Sequence, residues 1–330
     1  MKKEFEYKNH LGDIKDVVTT LIVGKEDAVT NPLVSVIMPV YNHPIYFRKS
    51  LLSVLNQKCD FAYEIVIVDN CHPEFQPKNQ KIVEELYCDK IRYYINEVNI
   101  GGVGSENRGA QLANGEYISF CHDDDMLYED ALNNLINTIR NIDDKYSAIF
   151  GSYVPMDEND NIKPNKSEWN SLFLRKKELY KVSLYDYLLN NYTNGCGALY
   201  RKSNYLEIGG FNSDYIPCPD YALNIYYTKK FGTYAIKSVT LKYRVTKQSD
   251  SSKVFEDVLI VDRRIKEHLL DSELRWKFLL KICVNINMKC QTFHQYRNWS
   301  NANTSILNSL IYRIANRIVL NVFVILRSFR

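Results

Sequence analysis

Several things are scarce in this chain. None of its eight cysteines pair at CxxC spacing, which removes the zinc-ribbon class. No glycine lies between residues 33 and 50, so the first apolar strand is not followed by the GxGxxG turn of a dinucleotide-binding dehydrogenase. No acidic residue follows Glu273. No stretch of about 20 apolar residues is present to cross a bilayer. The longest nearly apolar run, Ile318 to Leu326, includes Asn321. The opening carries Lys2, Lys3, Glu4 and Glu6 where a secretory signal would be apolar. The thiols are therefore expected to be free, in a reducing cytoplasm. Internal repeats and low-complexity tracts are also missing.

What is present fits a globular protein of 330 residues, 45% hydrophobic and 25% charged. That length can bury a sizeable core and divide into two lobes. The net charge of +3 is unevenly spread. Residues 263–330 hold twelve Lys/Arg against three Asp/Glu, so the rest of the chain is net acidic. Such asymmetry implies an anionic surface near the C-terminus. The apolar positions among the basic ones favour a membrane surface over nucleic acid.

Residues 1–30 read as a preamble, partly helical and without a clear pattern. Leu33 to Val40, Glu64 to Val68, Ile91 to Ile95 and Glu116 to Cys121 are short apolar runs that predict buried strands. Helical spacing lies between them, and Ala131, Leu132, Leu135, Ile136 and Ile139 mark an amphipathic helix afterwards. Further strands are expected at 147–154 and 195–200, a helix at 220–230, and edge strands over 233–245. From about 254 the pattern is helical and increasingly basic. Alternating strands and helices predict an α/β protein with a mainly parallel sheet. Ligands bind such sheets beyond the carboxyl ends of the strands. Asp69-Asn70 and His122-Asp123-Asp124-Asp125 both stand at such ends. Three adjacent aspartates repel one another unless a cation sits among them, and oxygen-rich clusters suit Mg²⁺ or Mn²⁺. A solvated turn or a helix cap is the plain alternative for such a triplet.

Four segments carry a further signal. Val34 to Asn42 (VSVIMPVYN), Ile65 to Asn70 (IVIVDN), Asn99 to Gly115 (NIGGVGSENRGAQLANG) and Tyr117 to Asp125 (YISFCHDDD) resemble, in order and spacing, the successive blocks of family-2 glycosyltransferases. The resemblance covers about residues 33–245 and points to the bacterial surface-polysaccharide type. It implies a GT-A fold, with a mainly parallel sheet flanked by helices and a C-terminal helical extension. It also implies an inverting transfer from a nucleotide-diphosphate sugar, typically a UDP-sugar, with Mn²⁺ or Mg²⁺.

By this resemblance Pro39, Tyr41 and Asn42 line the nucleotide pocket and Asp69 meets the base. Asp124 is the principal metal ligand. Asp123 lies near the ribose or the metal, and Asp125 ligates or orients the motif. The family usually has Asp at the place of His122 and often Arg at the place of Glu106; Arg108 is the available substitute for the latter. Gly209-Gly210-Phe211-Asn212 and Pro219-Asp220 resemble the family's GGF…ED segment, which makes Asp220 the general base. As a single residue, Asp220 reads equally as a cap of the 220–230 helix. Tyr243-Arg244-Val245-Thr246 keeps the Arg of the family's Tyr-Arg-x-His and loses the His; Arg244 or Lys247 could meet the diphosphate.

The expected organisation is a preamble over 1–30 and a catalytic region over 31–250. That region has a donor half to about 125 and an acceptor half from about 126. A basic helical region follows over 251–330. Its residues 306–329 mix apolar side chains such as Ile306, Leu310, Ile314 and Ile318 with Arg313, Arg317 and Arg327, and Arg330 follows; this fits an interfacial helix. Packing on the catalytic region is the alternative. The expected acceptor is a glycan or lipid-linked glycan at the inner face of the cell membrane. Rival classes are a sugar-nucleotidyltransferase, disfavoured by the glycine-free 33–50 segment, and an inactive sugar- or membrane-binding scaffold.

Overall fold

The computed structural model describes residues 7–143, 148–163, 178–188, 193–246, 252–271 and 277–300, with positions 318, 319 and 322. The first half alternates strand and helix. It comprises β1 (Thr19–Val23), β2 (Val34–Val40), α1 (Pro44–Leu55), β3 (Tyr63–Asp69), α2 (Gln76–Glu85), β4 (Ile91–Asn96), α3 (Gly101–Leu112) and β5 (Tyr117–Phe120). The short β6 (Met126–Leu127) and α4 (Ala131–Arg140) follow. The second half holds β7 (Ala148–Met156), β8 (Leu179–Lys181), α5 (Leu184–Tyr187), β9 (Ala198–Arg201), α6 (Lys202–Ile208), α7 (Pro219–Phe231) and β10 (Thr233–Arg244). Two longer helices, α8 (Ser252–Asp271) and α9 (Lys277–Ser300), complete the described chain.

The strands form one sheet in the order β1-β4-β3-β2-β5-β9-β7-β10-β6, with β8 beside β10. The block β4-β3-β2-β5 is parallel. Every residue of β2 and β3 is buried, as continuous apolar runs require when helices cover both faces. Helix α3 lies close on this block: a Cβ at Gly109 would sit 2.3 Å from the Ile37 side chain. Helix α4 buries Ala131, Leu132, Leu135, Ile136 and Ile139, the stripe its spacing predicts. Each of its larger side chains contributes about 1.5–3 kcal/mol by leaving water.

A polar knot sits inside the sheet's own layer. The Arg92 and Glu64 side chains are each 2% exposed, and Arg92 Nη2 lies 2.9 Å from Glu64 Oε2. Glu64 also accepts from Ser35 Oγ (2.5 Å) and from the Asn114 N–H (2.6 Å), so strands β2, β3 and β4 and the end of α3 share one buried network.

Two readings of the sequence change here. The preamble is not patternless: Thr19–Val23 pairs antiparallel with β4 as an edge strand. Its alternation is masked because the strand is half exposed, with the apolar Val18 just before it and Ile22 within it both facing solvent. Residues 233–245 do not make edge strands. They form one strand, β10, lying inside the sheet between β7 and the short β6 and β8. Register shifts on either side of Val239 break its periodicity, which is why it reads as two pieces.

Candidate functional site

The ends of β2, β3 and β5 open on the same edge of the parallel block, so Tyr41, Asp69 and His122 emerge together. Pro39 is tolerated in β2 for a local reason. β5 leaves the ladder after Phe120, opposite Ile37, so no strand is there to miss the Pro39 N–H. Two residues on, the Tyr41 N–H donates to Asp123 Oδ2 at 3.1 Å. The strand's pairing is thus continued by a carboxylate. Asp123 Oδ1 also lies 3.3 Å from His43 Nδ1. That contact with Asp123 raises the His43 pKa. Asn42 is exposed and the Tyr41 ring, partly exposed, meets His72 edge-on.

Asp69 is completely buried. Its Oδ2 accepts from Tyr93 Oη (2.8 Å) and Asn79 Nδ2 (3.0 Å), and its Oδ1 from the Cys71 N–H (2.9 Å). Burial raises its pKa, and these donors oppose the rise.

The acidic turn after β5 distributes its side chains to different places. Asp123 turns toward β2. Asp125 is 1% exposed; its Oδ1 accepts from the Arg244 N–H at 2.8 Å, and burial with the Asp124 charge raises its pKa to about 8. Asp125 thereby ties the turn to β10 and does not cap α4, whose N-cap is Asp130. Asp124 is the partly exposed member. Burial and the neighbouring Asp123 raise its pKa. An oxygen-seeking divalent cation at Asp124 would relieve that repulsion, and a carboxylate oxygen is the donor that Mg²⁺ or Mn²⁺ takes.

Arg244 holds the turn from the other side. Its Nε donates to the Asp124 carbonyl (2.7 Å) and its Nη1 to the Asp157 carbonyl (2.8 Å). Its Nη2 pairs with Asp160 at 2.6 Å, and the guanidinium lies 4.2 Å from the Tyr46 ring centroid. Fully buried and so engaged, it braces the turn and does not offer a free cation to a diphosphate. Lys247, its alternative, lies outside the described residues.

Arg108 is also corrected. Its Nη2 donates to the Ile14 and Val17 carbonyls at 2.5 and 2.9 Å, tying the N-terminal segment to α3. It does not replace the absent arginine at position 106. Instead Glu106, buried on α3, lies 2.9 Å from His122 Nε2. In the sequence these two positions read as separate losses. Their joint departure, one acid and one base, is the signal that they face each other.

Asp220 occupies the first turn of α7, whose N-cap is Cys218. A carboxylate there is favoured by the helix dipole. Oδ1 accepts from the adjacent Tyr221 N–H (2.8 Å) and Oδ2 from the Gly195 N–H (3.3 Å). The residue keeps part of its surface open to solvent. Desolvation of the carboxylate raises its pKa to about 6 against those two donors, with Glu106 and His122 both close enough to act on it. Asp220 therefore stands near the end of β5, held by Gly195, whose neighbour Cys196 bridges Phe120. The preceding loop is fixed by Asn107, whose Oδ1 accepts from the Phe211 N–H (2.8 Å) and whose Nδ2 donates to the Phe211 carbonyl (2.9 Å). Gly210, at φ +73°, leaves room for that bond: a Cβ would lie 2.3 Å from Asn107 Oδ1.

Of the C-terminal positions read as interfacial, residues 306–329 lie outside the described residues except 318, 319 and 322. Val319 is buried in the core, Val322 packs on it, and Ile318 is exposed. Among the described residues no helix is long and apolar enough to cross a membrane.

Comparison with known proteins agrees with this geometry. Residues 35–209 match the family described as glycosyl transferase family 2. An uncharacterized glycosyltransferase of Rickettsia felis is 31% identical over 241 residues, 71% of this chain and 38% of that protein. The chain thus spans less than half the length of that relative. The GalNAc(5)-diNAcBac-PP-undecaprenol beta-1,3-glucosyltransferase of Campylobacter jejuni is 27% identical over 185 residues, 56% of each. Among solved structures, S. aureus TarS 1-349 in complex with UDP-GlcNAc superposes with a TM-score of 0.56 at 19% identity, covering 89% of this chain and 81% of that one. The mannosyltransferase PcManGT of Pyrobaculum calidifontis, in complex with GDP-Man and Mn²⁺, gives a TM-score of 0.54 at 15% identity, covering 93% and 88%. These likenesses establish the GT-A fold. The match over residues 35–209 places the chain in glycosyl transferase family 2.

Proposed function

We propose that this chain transfers a sugar from a UDP-sugar to a hydroxyl of a glycan or lipid-linked glycan, inverting the anomeric carbon. The observation that carries the proposal is Asp220. It is a largely desolvated carboxylate with its pKa raised to about 6, held by Gly195, the neighbour of the Cys196 that bridges Phe120 at the end of β5. A base tuned near neutrality is suited to accept a proton from an alcohol, and such a group contributes about 10²–10⁴-fold in rate. The Gly195 and Tyr221 N–H groups hold the carboxylate in place.

The donor would lie across the ends of β2, β3 and β5. Pro39, Tyr41, Asn42 and Asp69 would face the nucleoside, with the base meeting Asp69. Asp123, anchored by the Tyr41 N–H, would stand near the ribose. Asp124, with help from Asp123, would hold Mn²⁺ or Mg²⁺. Such an ion stabilises the charge that gathers on a departing diphosphate. The acceptor oxygen would attack the opposite face of the sugar while Asp220 takes its proton, so one displacement suffices and no covalent intermediate forms. TarS and PcManGT, which bind nucleotide sugars, support the donor class.

The lipid-linked acceptor draws support from the undecaprenol-linked substrate named for the Campylobacter relative. The excess of basic residues beyond position 262 supports work at the inner face of the membrane. In this reading residues 31–250 are the catalytic region and 251–330 the basic helical one, with residues 1–30 bracing α3 and β4.

Nucleoside-diphosphate release from a panel of sugar nucleotides, with Mn²⁺ and an acceptor glycan, tests the reading. Transfer from one donor, lost in Asp220→Asn, is the expected result. Absence of turnover with every UDP-, GDP- and dTDP-sugar would overturn it.

A further inference from the structure

Behind the acidic turn lies a second set of donors of different chemistry. One ligand atom each from His122, Asp125 and Cys196 lies within 4.8 Å of the others. The three come from two chain segments that the sheet pins together. His122 and Asp125 belong to the turn leaving β5. Cys196 bridges Phe120, and the Gly197 N–H next to it donates to the Phe120 carbonyl at 2.9 Å. Asp125 is anchored by one oxygen only. Its Oδ2 is buried with no hydrogen-bond partner, an uncompensated acceptor in a residue 1% exposed. A buried polar atom in that state needs an explanation, and a bound ion supplies one.

The histidine is also arranged as a ligand. Glu106 Oε1 stands 2.9 Å from His122 Nε2, and the ring is also hydrogen-bonded to Cys196. A cation would displace that second contact, taking the other ring nitrogen and the sulfur while Nε2 donates to Glu106. A carboxylate behind the ring is the usual support of a metal-bound histidine.

We propose that His122, Asp125 and Cys196 form a binding site for a thiophilic divalent cation of the Zn²⁺ class, separate from the oxygen-ligated ion at Asp124. A nitrogen, a sulfur and an oxygen donor suit Zn²⁺, whereas Mg²⁺ and Mn²⁺ avoid thiolate. Zinc bonds of about 2.0–2.3 Å place donors roughly 3.5 Å apart, a modest contraction of the spacing present. On binding, the Cys196 thiol loses its proton to solvent and the sulfur enters as thiolate. The ion would clamp the turn after β5 to the Gly195–Gly197 segment. Gly195 is the residue whose N–H holds Asp220. The site needs no nucleotide sugar and does not depend on the transfer reaction.

Co²⁺ reports such a site directly, because thiolate ligation gives a charge-transfer absorption that oxygen ligation does not. The reduced full-length protein, titrated anaerobically with Co²⁺ without nucleotide, is expected to develop this band at one equivalent. Zn²⁺ should bleach it. Cys196→Ser should remove it, and Asp124→Asn should leave it in place. No band at one equivalent, or a band that survives Cys196→Ser, overturns the proposal. Glu106→Gln keeps all three ligands and covers the case in which Cys196→Ser fails to fold. It should weaken Co²⁺ affinity by about 10–100-fold, and unchanged affinity would overturn the assignment of the histidine.

Discussion

Glu106 and His122 face each other at 2.9 Å across the space between α3 and the end of β5. Family-2 glycosyltransferases tend to carry Arg and Asp at these two positions, so the pair here has its polarity reversed. Reversal keeps an attraction while changing which segment bears which charge. The two changes are therefore expected to be coupled. His122→Asp alone would set a second carboxylate against buried Glu106. Glu106→Arg with His122→Asp would restore an attractive pair. A double-mutant cycle by chemical denaturation should show a coupling of about 0.5–3 kcal/mol, with the double variant more stable than the sum of the singles. Strict additivity would mean that the pair does not act as one.

The raised pKa of Asp220 predicts a pH profile. The base must be ionised, so kcat/KM should fall about tenfold per pH unit below a midpoint near 6. It should level off above that midpoint. Asp220→Asn should lose about 10²–10⁴-fold in turnover and abolish the acid limb, while donor affinity is kept. A variant that turns over near the wild-type rate would remove Asp220 from the mechanism.

Asp124→Ala addresses the cation. Donor affinity of the wild-type protein, measured by calorimetry, should rise when Mn²⁺ is added. In Asp124→Ala that increment should shrink by about tenfold or more, in line with the loss of one charged ligand. The same affinity with and without metal in the wild-type protein would count against any ion at this position.

The Arg92–Glu64 pair predicts a stability effect away from the pocket. Both side chains are 2% exposed. Removing Arg92 leaves Glu64 buried without its cation, so Arg92→Met should cost about 3–5 kcal/mol in urea denaturation. Glu64→Gln should cost less, because Arg92 keeps Glu26 at 2.7 Å. Replacing both with apolar residues should cost less than either single change. A loss under about 1 kcal/mol for Arg92→Met, the range of exposed pairs, would show that water reaches the network.

Liposome flotation checks the basic region. Full-length protein should float with anionic vesicles more than a 1–300 chain does, and the difference should vanish at high salt. Equal flotation would place the tail on the protein alone, the direction in which buried Val319 already points.

Much of the fold could be read from local pattern. The apolar runs of β2 and β3 are continuous because helices cover both faces, and the α4 stripe follows from helical period alone. The four blocks named the family because they are contiguous and their spacing is held by the strand-turn-helix units they build. β1 and β10 were less legible. One is half exposed at an edge and the other carries register shifts, so neither shows a clean period.

For the pocket, sequence alone determined which carboxylates stand at strand ends, since a residue's place after a buried strand is a local property. It could not determine what each side chain meets. Arg108 reaches the backbone of residues 14 and 17, Arg244 braces the acidic turn, and Cys196 comes beside His122 through contacts between segments over seventy residues apart. Those pairings follow from how the sheet orders its strands and how α3 and α7 lie on it. Direction and distance between remote side chains exist only once the chain is folded.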